Sequence, residues 1–220
     1  MTDPALRHNR NRNCLLNAAN HLRVTHSCNT ACRTDIRWGA YFSPRGIDAE
    51  QMRLFRASGL THIEFGTESF CDRTLEAYGK RFTFGDVERA SRLALDEGVY
   101  YAHFLILGGY GDTRENVRET IENSRRMEYT VMFPYAGMRI YPHTRLAELA
   151  AKEGAIGRDD DLMAPSYYIS RDFDLEEVRR AALATGKAWV FPGDPQSALA
   201  DTLRLKRNKK GPLWEYLRKP

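Results

Sequence analysis

Tyr100-Tyr101-Ala102-His103-Phe104-Leu105-Ile106-Leu107-Gly108-Gly109-Tyr110-Gly111-Asp112-Thr113 joins an apolar run to a glycine-rich turn near the middle of the chain. Its first part, beginning at Val99, is nearly all apolar, as a strand covered on both faces is. The glycines at 108, 109 and 111 that follow permit positive φ and let backbone amides approach a ligand. A tight strand-to-helix turn uses glycine too, so the loop by itself carries both readings. Asp112 or Thr113 then caps a helix running to about Met127, and the Asp112-to-Glu115 spacing is a capping-box variant.

The same grammar repeats on both sides. Ile36 to Phe42 reads as a strand, and Asp48 caps a helix carrying Met52, Leu54 and Phe55 toward Gly59. Leu60 to Phe65 is a second strand, ending in Gly66-Thr67-Glu68-Ser69. Helical spacing follows over Asp72 to Tyr78 and from Thr83 to Glu97, where Val87, Ala90, Leu93 and Ala94 share one face. After the central strand and its helix, Tyr129 to Ile140 holds another strand, which leads through Tyr141-Pro142-His143-Thr144 into a helix to Ala151. Strand-helix alternation over 35–156 requires a parallel sheet with right-handed crossovers. The three loops after the apolar strands then share one face, where ligands bind in such sheets.

The flanks differ in character. Residues 1–34 carry five arginines, five asparagines before residue 21, three histidines and one acidic residue, without a sustained period. They read as an irregular N-terminal segment preceding a 35–156 body. Residues 157–220 read as a helical C-terminal extension, with an acidic linker at Asp159 to Asp161, the aromatic pair Tyr167-Tyr168, a helix from Leu175 to Val190 and another from Pro195 to about Leu205.

Composition bounds the function classes. Hydrophobic residues make up 42% and charged residues 28%, which suits a soluble domain with a real core. The net charge of +4 gathers at the ends, in the Arg-rich start and in Arg204-Leu205-Lys206-Arg207-Asn208-Lys209-Lys210. A solvated basic tail is commoner than a nucleic-acid contact, so nucleic acid is not the expected partner. No apolar run reaches membrane-span length and the N-terminus lacks the apolar core of a secretion signal, so a cytoplasmic chain without a membrane partner is expected. Cys14, Cys28, Cys32 and Cys71 are read as reduced.

Taken together, in order and spacing, the loops resemble the later half of the radical S-adenosylmethionine (SAM) barrel. The matching residues are Gly66-Thr67-Glu68-Ser69, Leu75 through Lys80 with Thr83, Phe104 through Thr113, and Tyr141-Pro142-His143-Thr144-Arg145-Leu146. They stand where that family has a G-x-E-S strand end, a basic residue twelve positions after the acid, a G-x-P-G-E-T turn and a Y-P-G-T-x-L turn. Lys210-Gly211-Pro212-Leu213-Trp214-Glu215-Tyr216-Leu217 is similar to the tail of the cobalamin-binding, MiaB-like branch. Tyr110, Asp112 and His143 depart from the family's proline, glutamate and glycine.

The resemblance implies an α/β fold, a partial parallel, TIM-barrel-like (β/α) wall of about four units out of six. It implies a SAM site in which Glu68 binds the ribose, Ser69 supports it, Lys80 meets the methionyl carboxylate, and Leu105 to Leu107 with Gly108 lie against adenine, with Gly66 and Gly109 among the cofactor-binding residues. A carboxylate suits a diol and an ammonium suits a carboxylate, so residue chemistry agrees. It also implies a [4Fe–4S] cluster on C-x3-C-x2-C. Cys28-Asn29-Thr30-Ala31-Cys32-Arg33-Thr34-Asp35 stops one thiolate short of that motif. Cys28 and Cys32 therefore stand as helix-end or chance cysteines, as a two-thiolate zinc or labile iron site with His26, or as a cluster remnant. Cys71 reads as a small core hydrophobe.

The expectation is thus a radical SAM protein by descent, without its first two units, inactive by itself, with cobalamin possible in intact relatives and the substrate unidentified. The alternative is a non-catalytic adenosine- or SAM-binding or assembly module. A cut sheet exposes the strand at Ile36 as an edge, which a protein partner would cover. A third reading is a different β/α enzyme using His62, Glu64, Glu68 and His103 for acid-base work. Arg37 and Arg139 stand as anion-reaching candidates in the lumen.

Overall fold

The computed structural model describes the backbone of residues 22–23 and, in full, residues 36–157, 160–193 and 212–220. Its elements in chain order are β1 (Leu22–Arg23), β2 (Trp38–Phe42), α1 (Ala49–Ala57), β3 (Leu60–Glu68), α2 (Asp72–Ala77), α3 (Phe84–Asp96), β4 (Tyr100–Leu107), α4 (Arg114–Asn123), β5 (Val131–Ala136), β6 (Met138–Ile140), α5 (Arg145–Glu153), β7 (Ser166–Tyr168), α6 (Leu175–Ala184) and β8 (Ala188–Trp189). A 3-10 turn, Leu213–Leu217, follows near the C-terminus. The caps foreseen at Asp48 and Thr83 are present, each a reciprocal capping box.

One sheet runs in the order β1-β2-β3-β4-β5-β8. Strands β2, β3, β4, β5 and β8 pair in parallel, whereas β1 pairs antiparallel with β2. Because sequential strands lie side by side without reversal, every crossover falls on the same face. Burial confirms this. Phe65, Leu105, Leu107, Met132 and Trp189 alternate toward the helices, where they meet Met52, Val87, Val117, Ile121, Val178 and Ala182. The other face of the sheet is concave and carries His62, Glu64, Ala102, Phe104, Val131 and Phe133. Helices on one side only make an open barrel wall rather than a doubly wound sheet.

The C-terminal residues close the lower part of that concave face. Trp214, only 7% exposed, packs on Ala102, Val131, Ala188 and Val190. Its indole N–H donates to Glu64 Oε1 at 3.2 Å. Beside it, His62 Nε2 lies 2.5 Å from Glu215 Oε2, and the Arg218 guanidinium sits 4.2 Å over the Tyr100 ring. Burial lowers the His62 pKa, with Glu215 pulling the other way.

Four expectations are corrected. The helix from Leu175 stops at Ala184, and Ala188–Trp189 leave it to become a fifth parallel strand beside Val131 and Met132. The extension is therefore helical only in part: paired beside β5, the segment buries Trp189 against the helices and Ala188 and Val190 on the concave face. The strand read as Tyr129 to Ile140 breaks at Gly137, and its end pairs with β7 in a separate two-stranded ribbon. That places Arg139 outside the lumen, 4.9 Å over the Tyr141 ring. The strand read from Ile36 is not a bare edge, since Leu22 and Arg23 lie alongside Ala40 and Gly39. Cys14, His26, Cys28, Cys32, the 195–205 helix and the basic run at 204–210 lie outside the described residues.

Candidate functional site

The three loops singled out from sequence lie at the carboxyl ends of β3, β4 and the β5–β6 run. Glu68 closes β3 with φ 66, the left-handed region that a non-glycine residue seldom enters. The β3–β4 register shifts between Gly66 and Glu68, so the strand end is bulged. A bulge re-aims the side chain beyond it, and strained backbone concentrates at functional sites. Here it turns Glu68 toward the ammonium of Lys80, whose Nζ donates to Glu68 Oε1 at 2.9 Å. With side chains 21% and 30% exposed, the acid and base twelve residues apart form a half-open pair at the rim.

Neighbouring residues of that loop divide by face. Gly66 is open on the concave side, since a Cβ there would meet nothing nearer than Phe42 O at 4.0 Å. Thr67 turns to the helices and lies 2.7 Å from His103 Nδ1. Ser69 is buried, its hydroxyl sharing a hydrogen bond with Thr120 at 2.8 Å and accepting from the Cys71 N–H. Cys71 is fully buried, as the small-hydrophobe reading expects.

Across the strand pair, the glycine loop is held from beneath. The Gly108 N–H donates to Asp112 Oδ2 at 2.8 Å, and the Thr74 hydroxyl donates to Asp112 Oδ1 at 2.8 Å. Burial raises the Asp112 pKa against these two hydrogen bonds. The expected helix cap is Thr113 instead, whose hydroxyl accepts from the Asn116 N–H. Tyr78 joins the two loops: its hydroxyl accepts from the Gly109 N–H at 3.1 Å and faces Ile106 O at 3.4 Å. Burial, with the nearby Asp112 and Glu68 carboxylates, pushes the Tyr78 phenol up and keeps it neutral. Sequence reading missed Tyr78 and the bracing role of Asp112; the tyrosine's place in the Leu75-to-Lys80 stretch was the available signal.

Leu105 and Leu107 are 0% and 1% exposed and face the helices. Those two side chains are therefore turned away from the concave face. His103 also faces the helices, fully buried and stacked on Phe65 at 5.6 Å, which removes it from the acid-base candidates. On the concave side Phe104 stands nearly parallel to Phe133 at 5.0 Å and to Tyr135 at 6.2 Å, and meets Tyr41 edge-on at 5.6 Å. His143 takes φ 61, so the position where the related turn has glycine keeps the left-handed conformation.

The family model for the radical SAM superfamily matches residues 21–123. Over that stretch the chain is similar to the radical SAM superfamily. The chain is 28% identical over 39% of its length to an anaerobic magnesium-protoporphyrin IX monomethyl ester cyclase from Cereibacter sphaeroides, covering 14% of that protein. It resembles the radical SAM methyltransferase TsrM from Kitasatospora setae, solved with tryptophan substrate and the SAM analogue aza-SAM. That match has 26% identity and a TM-score of 0.50, over 55% of this chain and 24% of that one. The cobalamin-dependent radical enzyme OxsB, solved with aqua-cobalamin and SAM, shares the fold at TM-score 0.51 and 15% identity, over 70% of this chain and 28% of that one. The chain spans between 14% and 25% of the length of the curated relatives it matches.

The radical SAM family that the match points to implies SAM and a [4Fe–4S] cluster. The rim fits SAM: a half-open carboxylate, an ammonium and an uncovered strand end at Gly66 lie together. The cluster has no fit among the described residues, where no group of three His, Cys, Asp or Glu side chains is placed to hold a metal. No helix among the described residues is long and apolar enough to cross a membrane.

Proposed function

We propose that the rim formed by Gly66, Glu68, Lys80 and the Gly108–Gly109 turn binds SAM, and that the chain serves a radical SAM enzyme acting on an unactivated carbon by methyl transfer or ring closure. The observation that carries the reading is the bulged β3 end, which presents Glu68 and Lys80 as a half-open pair at 2.9 Å beside uncovered Gly66. When bound, SAM supplies an adenosyl radical or a methyl group, according to the subclass.

The residues' own work is positioning. Glu68 accepts from the ribose hydroxyls, and its pairing with Lys80 fixes the carboxylate's direction. The ammonium has three donors and so can hold Glu68 and the methionyl carboxylate together. Tyr78 and Asp112 hold the β4 turn, so the backbone that adenine meets is set before ligand arrives. Cyclase and methyltransferase relatives support the choice between ring closure and methyl transfer. A non-catalytic SAM-binding module is the second reading, favoured by the missing third thiolate after Cys32.

Equilibrium dialysis with labelled SAM tests the site. Glu68→Gln should weaken binding by about 10- to 100-fold, the cost of a charge-assisted contact of roughly 1.5–3 kcal/mol. Unchanged affinity in that variant would remove the site. Anaerobic reconstitution with iron and sulfide, followed by an assay for 5′-deoxyadenosine and methyl transfer, separates the enzyme from the binding module. Retained SAM without chromophore or product selects the module.

A further inference from the structure

Between the rim and the C-terminal closure, the concave face carries a carboxylate and a run of rings that the SAM site does not use. Glu64 stands on β3 below Gly66 and Glu68, on the same side of the strand. At the strand rise of about 3.3 Å per residue, it lies about 13 Å below the rim acid. In the sheet register Gly66 pairs with Phe104, and Phe104 with Phe133. We infer that this part of the concave face binds a flat ligand carrying an amidinium or ammonium group, with Glu64 pairing with the cation and the rings holding the ligand's body. Naming that ligand as the substrate rests on the reading of the rim as a SAM site.

Three observations carry the assignment. Glu64 is anchored but not used up. Its Oε1 accepts from the Trp214 indole N–H at 3.2 Å, and its other oxygen has no hydrogen-bond or ion-pair partner among the described residues. A carboxylate accepts at about four lone-pair sites, so a single indole leaves most of that capacity open. The basic groups around it are committed elsewhere: His62 faces Glu215 at 2.5 Å, Arg218 lies over the Tyr100 ring and donates to Glu215 O, and Lys80 holds Glu68. The rings stand within its reach. Burial, and then the Glu64 charge, raise the pKa of the Tyr135 phenol, so the carboxylate's field extends to the end of the Phe133–Phe104–Tyr135 run.

Charge decides the ligand class. A carboxylate taken partly out of water beside apolar rings gains from a counter-charge, and ring faces attract cations through their negative quadrupole. An amidinium presents parallel N–H donors and meets a carboxylate in bidentate fashion, as a guanidinium does. A neutral ring would gain only the stacking. An anion would be repelled by Glu64.

Gly66 supplies the room between this acid and the rim. A Cβ there would meet nothing nearer than Phe42 O at 4.0 Å, so no side chain of β3 divides Glu64 from Glu68 on this face. A ligand held by its cation at Glu64 therefore extends its other end toward the nucleotide.

The test uses the full chain with 4-fluorobenzamidine as probe, followed by fluorine NMR, and with 4-fluorobenzamide and 4-fluorobenzoate as its neutral and anionic analogues. The amidinium should bind about tenfold more tightly than the amide, the expected difference for one charge-assisted pair, and the benzoate should bind least. Glu64→Gln keeps an acceptor for Trp214 and should erase the preference for amidinium over amide. Phe104→Leu should weaken both. Intermolecular NOEs from the probe to the Phe104 and Tyr135 ring protons of the unsubstituted protein locate the site even where Glu64→Gln does not fold. Equal affinity for amidinium and amide, a preference that survives Glu64→Gln, unchanged affinity in Phe104→Leu, or NOEs missing from those rings would overturn the inference. Labelled-SAM dialysis on the same samples separates the two claims. SAM binding with no amidinium preference sinks the cation assignment alone. Amidinium preference without SAM binding leaves the cation site standing and sinks the SAM site.

Discussion

Gly108→Ala is expected to cost roughly 2–4 kcal/mol of folding stability. Gly108 sits at φ 72, where an L side chain is strained by about 1–2 kcal/mol. A Cβ there would also stand 2.4 Å from Phe173 Cγ, so the ring must move, and with it the wall it contributes to the core around Leu105, Leu107 and Trp189. Gly154→Ala is the control. Gly154 caps α5 at φ 76 with nothing within 4 Å of the added carbon, so its replacement isolates the backbone cost. Urea unfolding of both variants should show the larger loss at Gly108, with the difference reporting the collision with Phe173. Equal losses would mean that Phe173 does not pack against this turn.

His103 should make the fold acid-sensitive well above the carboxylate range. It is fully buried among Phe65, Phe70 and Tyr101, and burial brings its pKa down to about 3. The Ser91 hydroxyl donates to Val87 O at 2.7 Å, so it accepts from the His103 Nε2–H at 3.2 Å, and Nδ1 then accepts from the Thr67 hydroxyl at 2.7 Å. This network holds the neutral ring. A histidine with a lowered folded pKa binds its proton in the unfolded chain first, below about pH 6.5. Stability therefore falls as pH drops from 6.5 toward 3, by about 2 kcal/mol at pH 5. His103→Gln removes the titration. The difference in unfolding free energy between wild type and variant should change by about 1.4 kcal/mol per pH unit between pH 6 and 4. A parallel pair of pH profiles would show that His103 is protonated in the fold.

The same residue shows how far the sequence could be read. Inside an apolar strand, His103 could face either the helices or the lumen, because alternation gives parity and not direction. Thr67 and Ser91, one on β3 and one on α3, settle it by meeting its two nitrogens from the helix side. Glu68 was legible as a strand-end acid twelve residues before a lysine. That it leans on Lys80 was not, since the lean depends on a bulge set by pairing with β4. Tyr78 looked like one more helical aromatic until the turn after β4 came beneath its hydroxyl.

Sequence by itself determined the alternation of strands and helices from Ile36 to Glu153, the caps at Asp48 and Thr83, and the gathering of three loops at one sheet rim. Those features follow from local periodicity, capping chemistry and the handedness of parallel crossovers. Tertiary structure alone decided that Ala188–Trp189 would add a parallel strand and that Trp214 and Glu215 would close the lower lumen over Glu64 and His62. It also decided that Glu64, held by Trp214, would stand beside a run of rings from β4 and β5. Each of these joins residues far apart in the chain, and such pairings are chosen by which apolar surfaces remain to be covered once the local elements have formed.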